Sequence, residues 1–169
     1  MAKKKSAAAT SADKSKNPFV LAAVVSDRVQ IQDVRVVECR VSQAPPHDGG
    51  PRAFKALNKV EVNFSIDADR NLILILPRFS FRERAEADDA ELPTLAIDCL
   101  FALTYAAPAV ADLPKLNVKA FAQTNGIFNA WPYWREFAQN MAARMGLPSL
   151  VIPVFRFSDP PSRGRPKTE

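Results

Sequence analysis

Residues 125–155 read NGIFNAWPYWREFAQNMAARMGLPSLVIPVF, and the fold is decided here. From Trp134 the apolar or small residues recur at Phe137, Ala138, Met141, Ala142 and Met145, the three-and-four spacing that lines one face of a helix. Arg135, Gln139 and Arg144 fall on the other side. Asn129 is read as the N-cap, with Pro132 in the first turn, where its missing N–H would have had no intrahelical partner. Gly146 is expected to end the helix and Pro148 to stop any continuation. Composition alone makes this a core-facing helix.

Upstream, Leu113, Leu116, Ala120, Phe121 and Thr124 keep helical spacing over about three turns, and Asn125 with Gly126 is expected to end that helix. Before it the period changes to two. Leu95, Ile97, Cys99, Phe101, Leu103 and Tyr105 alternate with small or polar residues, as do Val60, Val62, Phe64 and Ile66 with Glu61, Asn63 and Ser65. A turn at 67–71 leads into the aliphatic run 72–76, which predicts a hairpin. That second arm continues through Pro77, Phe79 and Phe81, so it is either buried on both faces or bulged at the proline. Residues 82–89 carry mixed charge and read as a solvated connector.

Farther upstream, 29–41 is VQIQDVRVVECRV. Val29 and Ile31 hold one phase, Val34 and Val36 the other, and Val37, Cys39 and Val41 return to the first, which predicts a bulge or a strand covered on both faces. An unbroken apolar run at 19–25 precedes it. Between strands, 43–59 contains PPHDGGPR and is expected to be a long loop, since Pro and paired Gly defeat both helix and ladder. His47, the chain's one histidine, lies in that loop without the partners a metal site needs. About four strands followed by two helices argue for an α+β fold, an antiparallel sheet with helices packed on one side.

The order of residues in three of these stretches resembles the SecB protein-export chaperones. Trp131, Pro132, Tyr133, Trp134, Arg135 and Glu136 resemble the short element that opens the family's long helix, and residues 146–153, GLPSLVIP, its Pro-bracketed exit. The run VQIQDVRV, followed by Ala44 and Pro45, is similar to its first strand. The resemblance covers roughly residues 29–155 and implies a four-stranded antiparallel sheet with two C-terminal helices on one side.

Charge and composition fit that reading. With 169 residues and 47% apolar content the chain makes one domain of ordinary size. Residues 1–18 carry five Lys against Asp13, and 156–169 four basic against two acidic residues, so the middle nets −1 although the chain nets +5. Both tails are expected to be disordered, leaving 19–155 as the domain. The basic start lacks the apolar core of a signal peptide, and no run approaches a membrane span, which predicts a cytoplasmic protein without membrane insertion. Cys39 and Cys99, sixty positions apart in apolar runs, are read as buried structural thiols. The chain has no cluster of nucleophile, base or ligand residues and no phosphate loop, so no cofactor, no metal and no enzymatic activity are expected. A nucleic-acid module working through the basic tails is the remaining class. It would bind in a steeply salt-sensitive way, and no specific nucleic acid is expected because the middle supplies no basic face by count.

The resemblance implies an ATP-independent holdase that keeps unfolded polypeptides or preproteins in an apolar groove for export. Affinity in such a groove comes from buried apolar area and backbone pairing. Val60, Val62 and Phe64 match the family's groove strand, and Leu147, Leu150 and Ile152 its exit segment. Phe54 and Leu57 join this client-binding set as large apolar residues in a loop otherwise too polar to need them. A homotetramer, a dimer of dimers, is implied as well. Glu38 and Asp98 align with acidic positions that contact the SecA motor, but Ser42 replaces another and the C-terminal tail is basic, which weighs against SecA. SDPPSRGRPKTE also cannot form the family's final helix. Since the family includes solitary chaperones dedicated to one client, such as an antitoxin, a narrow client range is the alternative.

Overall fold

The computed structural model describes residues 17–44, 54–85, 95–147 and 149–156. The chain opens with helix α1, Pro18–Ser26, where the Asn17 side chain accepts the Phe19 N–H at 2.9 Å and Pro18 takes the first helical position. Four strands follow: β1 Gln30–Gln43, β2 Phe54–Asp67, β3 Leu72–Ala85 and β4 Leu95–Ala106. Helices α2, Lys115–Phe121, and α3, Ile127–Arg144, complete the order. The strands form one antiparallel sheet in the order β1-β4-β3-β2, so β1 and β2 are its edges. This is the expected α+β arrangement, with α1, formed by the apolar run at 19–25, added ahead of the sheet. The tails 1–16 and 157–169 and the loop at 45–53, with His47, lie outside the described residues.

The strands are longer than the alternation suggested. β2 begins at Phe54, inside the expected loop, and β3 runs to Ala85, inside the expected connector, in an unbroken ladder from Phe54↔Ala85 to Asp67↔Leu72. Phe81 and Glu83 keep the inward phase while Arg82 keeps the outward one, so the period of two continues beneath charged side chains. Pro77 causes no bulge. Pairing with β2 passes through it at Val62, whereas the ladder to β4 lapses between Ile75↔Leu103 and Arg78↔Leu100 without a change of register. β1 has two irregularities, between Ile31 and Asp33 and between Val36 and Glu38, and these account for its changes of phase. The hairpin turn closes on Asn71, which holds φ 54°, a left-handed conformation that asparagine tolerates.

The two expected helices are one continuous path. Gly126 does not end α2; a wider turn at Ala122–Gly126 carries the helical backbone from α2 into α3. The glycine answers to packing instead: a Cβ there would lie 2.9 Å from Cγ2 of Ile75. Asn129 is consequently no cap, and its side-chain amide donates to the Tyr105 hydroxyl at 2.9 Å. The α2 face is also rotated from the expected one, because Asn117 and Val118 are buried and Leu116 is exposed. Asn117 can be buried because its amide donates to the Leu21 carbonyl of α1 at 3.1 Å. Gly146 ends α3 as expected. It holds φ 69°, with the Gly146 N–H on the Ala143 carbonyl and the Leu147 N–H on that of Ala142.

The core lies between the helices and the odd-numbered residues of β3 and β4: Ile73, Ile75, Phe79 and Phe81 with Leu95, Ile97, Cys99, Phe101, Leu103 and Tyr105. The expected α3 stripe packs on it, led by Trp134, Ala138 and Ala142, with Ala130 and Trp131 added. Trp134 stacks on Phe79 at 5.5 Å, and Tyr105 meets Phe121 edge-on at 5.2 Å.

Candidate functional site

The helices cover the middle of the sheet more fully than its edges. On β2 the inward residues Val60, Val62, Phe64 and Ile66 face Phe79, Pro77, Ile75 and Ile73 across the ladder and are half-buried against the core. On β1 the residues opposite Tyr105, Phe101 and Cys99 are Ile31, Val36 and Cys39, and these stay exposed. Ile31 is 43% exposed, Val36 44% and Val37, at the second irregularity, 55%. Val34 and Val41 of the same strand are half-buried against the core, so the face is covered in part, and an edge strand of this kind offers both unpaired backbone groups and surface that gains by leaving water.

Beyond α3 the chain runs back along the helix. The Trp131 indole N–H donates to the Pro153 carbonyl at 2.9 Å, and the Arg135 guanidinium Nε to the Ile152 carbonyl at 2.8 Å. The Phe155 ring lies 5.0 Å from that of Trp131. Ile152 is sealed into the core at 1% exposure, Leu147 and Leu150 are half-buried against it, and Val151 and Val154 point to water. Two side chains thus hold this segment of backbone by its carbonyls. This double capture was not foreseen. The contacts join residues 17 and 22 positions apart, and no local pattern encodes them.

The outer face of the sheet is polar at one end. Arg78 donates to Glu38 at 2.8 Å, while Arg82 at 2.5 Å and the Ser80 hydroxyl at 2.7 Å both donate to Asp98. The hydrogen bond from Arg78, then its charge, holds the Glu38 carboxyl below its ordinary range. For Asp98 partial burial pushes upward, but the hydrogen bonds from Ser80 and Arg82 and the charges of Arg82 and Arg78 outweigh it, and the net shift is downward. Glu38 and Asp98 are therefore each neutralised by an arginine of β3, partners brought to them by the sheet and not by proximity in sequence.

Of the residues proposed from sequence to bind a client, Val60, Val62 and Phe64 share one face of β2, and Leu147, Leu150 and Ile152 share the exit segment. Phe54 and Leu57 belong to the β2 backbone and not to a loop, and their side chains lie outside the described residues. Among the described residues no group of three or more His, Cys, Asp or Glu is placed to hold a metal ion, and no helix is long and apolar enough to cross a membrane.

No protein-family model and no curated protein matches the chain. Among solved structures it is similar to a Mycobacterium tuberculosis SecB-like chaperone, Rv1957, in complex with a ChAD peptide from the HigA1 antitoxin. The TM-score is 0.70 at 20% identity, over 83% of this chain and 99% of that one. A Streptococcus agalactiae protein of unknown function matches at TM-score 0.39 and 10% identity, over 74% of this chain and 96% of that one. The first match, spanning most of both chains, shows that the chain has a SecB-like fold.

Proposed function

We propose that this protein is a SecB-like holdase chaperone that binds unfolded polypeptide without chemistry of its own and serves a narrow client range of the antitoxin type. The observation that carries the reading is the pair of incompletely covered apolar sheet edges in a chain whose fold neighbour is a SecB-like chaperone in complex with an antitoxin peptide. In this proposal the client pairs along β2 and lies against Val60, Val62 and Phe64, with Leu147 and Leu150 as the far wall. Ile152, buried as it is, acts by fixing the exit segment. The barer strip on β1 is assigned to a second copy of the chain, the first step toward a homotetramer. Dedicated service is favoured over general export because Glu38 and Asp98 are occupied by Arg78 and Arg82, and a SecA contact through them would have to break those pairs. The protein would meet its client in the cytoplasm.

The test is titration of the purified full chain into a fluorescently labelled antitoxin-type polypeptide, kept unfolded or folded, over a range of salt. Binding of the unfolded form alone, little weakened by salt, is the expected result, since apolar burial and not counterion release supplies the affinity. Binding that salt abolishes, or none to the unfolded form, would overturn the proposal.

A further inference from the structure

The β1–β4 register sets Cys39 directly opposite Cys99. Residues opposed in an antiparallel ladder project from the same face with Cα atoms about 4.5–5.5 Å apart. A disulfide requires Cα atoms within about 4.4–6.8 Å, so the ladder itself supplies the spacing. The reading of both thiols as buried fails for one of them: Cys99 is fully buried beneath the helices, but Cys39 is exposed on the edge strand. The irregularity between Val36 and Glu38 lies next to Cys39 and gives this part of β1 extra twist with which to meet bond geometry.

We propose that Cys39 and Cys99 form a redox-responsive disulfide that clips the edge strand to the sheet. The inference does not rest on the chaperone reading. The oxidant is a small-molecule disulfide such as oxidised glutathione. The Cys39 thiol loses its proton and its sulfur attacks one sulfur of the oxidant, breaking that S–S bond and releasing one glutathione, which takes up the proton. The Cys99 sulfur, on losing its proton, attacks Cys39 within the mixed disulfide and releases the second glutathione. Two protein thiols are oxidised and one small disulfide is reduced to two thiols. Burial pushes the Cys99 thiol up to about 12, helped by the charge and hydrogen bond of Cys39, and burial also raises Cys39. Oxidation is therefore expected to be slow at neutral pH and to accelerate as pH rises, because the thiolate is the nucleophile. Once formed, the bond fixes β1 to β4 at the middle of their ladder, in the strand that carries the apolar strip of Ile31, Val36 and Val37.

The experiment incubates the full chain with oxidised glutathione at pH 8 and maps the products by non-reducing digestion and mass spectrometry. An intramolecular Cys39–Cys99 peptide pair, in a chain lighter by two hydrogens and monomeric on a denaturing non-reducing gel, is expected. Cys39→Ser, which changes an exposed position, should abolish the bond and leave Cys99 a free thiol. Wild type that accumulates glutathione on Cys39 with Cys99 unmodified, or that instead yields a Cys39–Cys39 dimer, would overturn the proposal.

Discussion

β2 and β1 are the two edges of one sheet, both fourteen residues long and both alternating apolar with polar side chains, yet they differ in what lies above them. The inward residues of β2 are half-buried under the turn that joins α2 to α3 and against the core, whereas on β1 only Val34 and Val41 are half-buried against the core and Ile31, Val36 and Val37 remain in water. A period of two fixes which side chains share a face and leaves open whether that face is covered. Cover depends on where the helical layer comes down, and here it is set by the close approach of Gly126 to Ile75 and by the aromatic contacts of Phe79 with Trp131 and Trp134. The helical layer therefore covers β3 and β4 fully and each edge strand only in part.

The largest expected effect breaks the covered side. Trp134→Ala removes a buried ring stacked on Phe79 and should cost about 3–5 kcal/mol in urea unfolding, since large core aromatics leave cavities that the surroundings only partly fill. A loss below about 1 kcal/mol would mean that the helix is not what holds the sheet.

A sharper test changes one valine on each edge. Val62→Asp places a carboxylate against the core and should destabilise by about 2 kcal/mol, whereas Val36→Asp, on an already wet face, should cost under about 1 kcal/mol. Light scattering adds the functional half. Val36→Asp is expected to be the variant that loses self-association, and equal behaviour of the two variants would erase the distinction between the edges.

The smallest effect is electrostatic and confined to the outer face. Asp98→Asn removes the anion held by Arg82 and Ser80 and should cost about 1 kcal/mol at neutral pH. Because the folded Asp98 titrates below its ordinary value, its contribution is present above the unfolded pKa of about 3.9 and is lost as pH falls through the folded value. The difference between variant and wild type in urea titrations should accordingly shrink below about pH 4, and a difference that persists there would assign the effect to packing.

Much of this fold could be read from residues in sequence. The β4 alternation, the Trp134 stripe and the Gly146 stop each express a local rule, and each is found where that rule puts it. Helix α1 was also legible, since Asn17-Pro18 ahead of an apolar run is a capping signal, but the run was not assigned to a helix. Other features were not local. Gly126 looks like a helix stop until Ile75 is set beside it, and Arg82 looks like a loop charge until β4 brings Asp98 to it. The site divides in the same way: the shared face of Val60, Val62 and Phe64 follows from alternation, whereas the capture of the exit segment by Trp131 and Arg135 depends on the tertiary path.

Hydrogen exchange of the full chain with and without an unfolded antitoxin-type polypeptide tests the central claim most directly. The account predicts that the polypeptide slows exchange in β2, residues 54–67, and in the exit segment at 147–156, and leaves the outer-face end of β4 around Asp98 unchanged. Slowing confined to the basic tails, or none in β2, would contradict it.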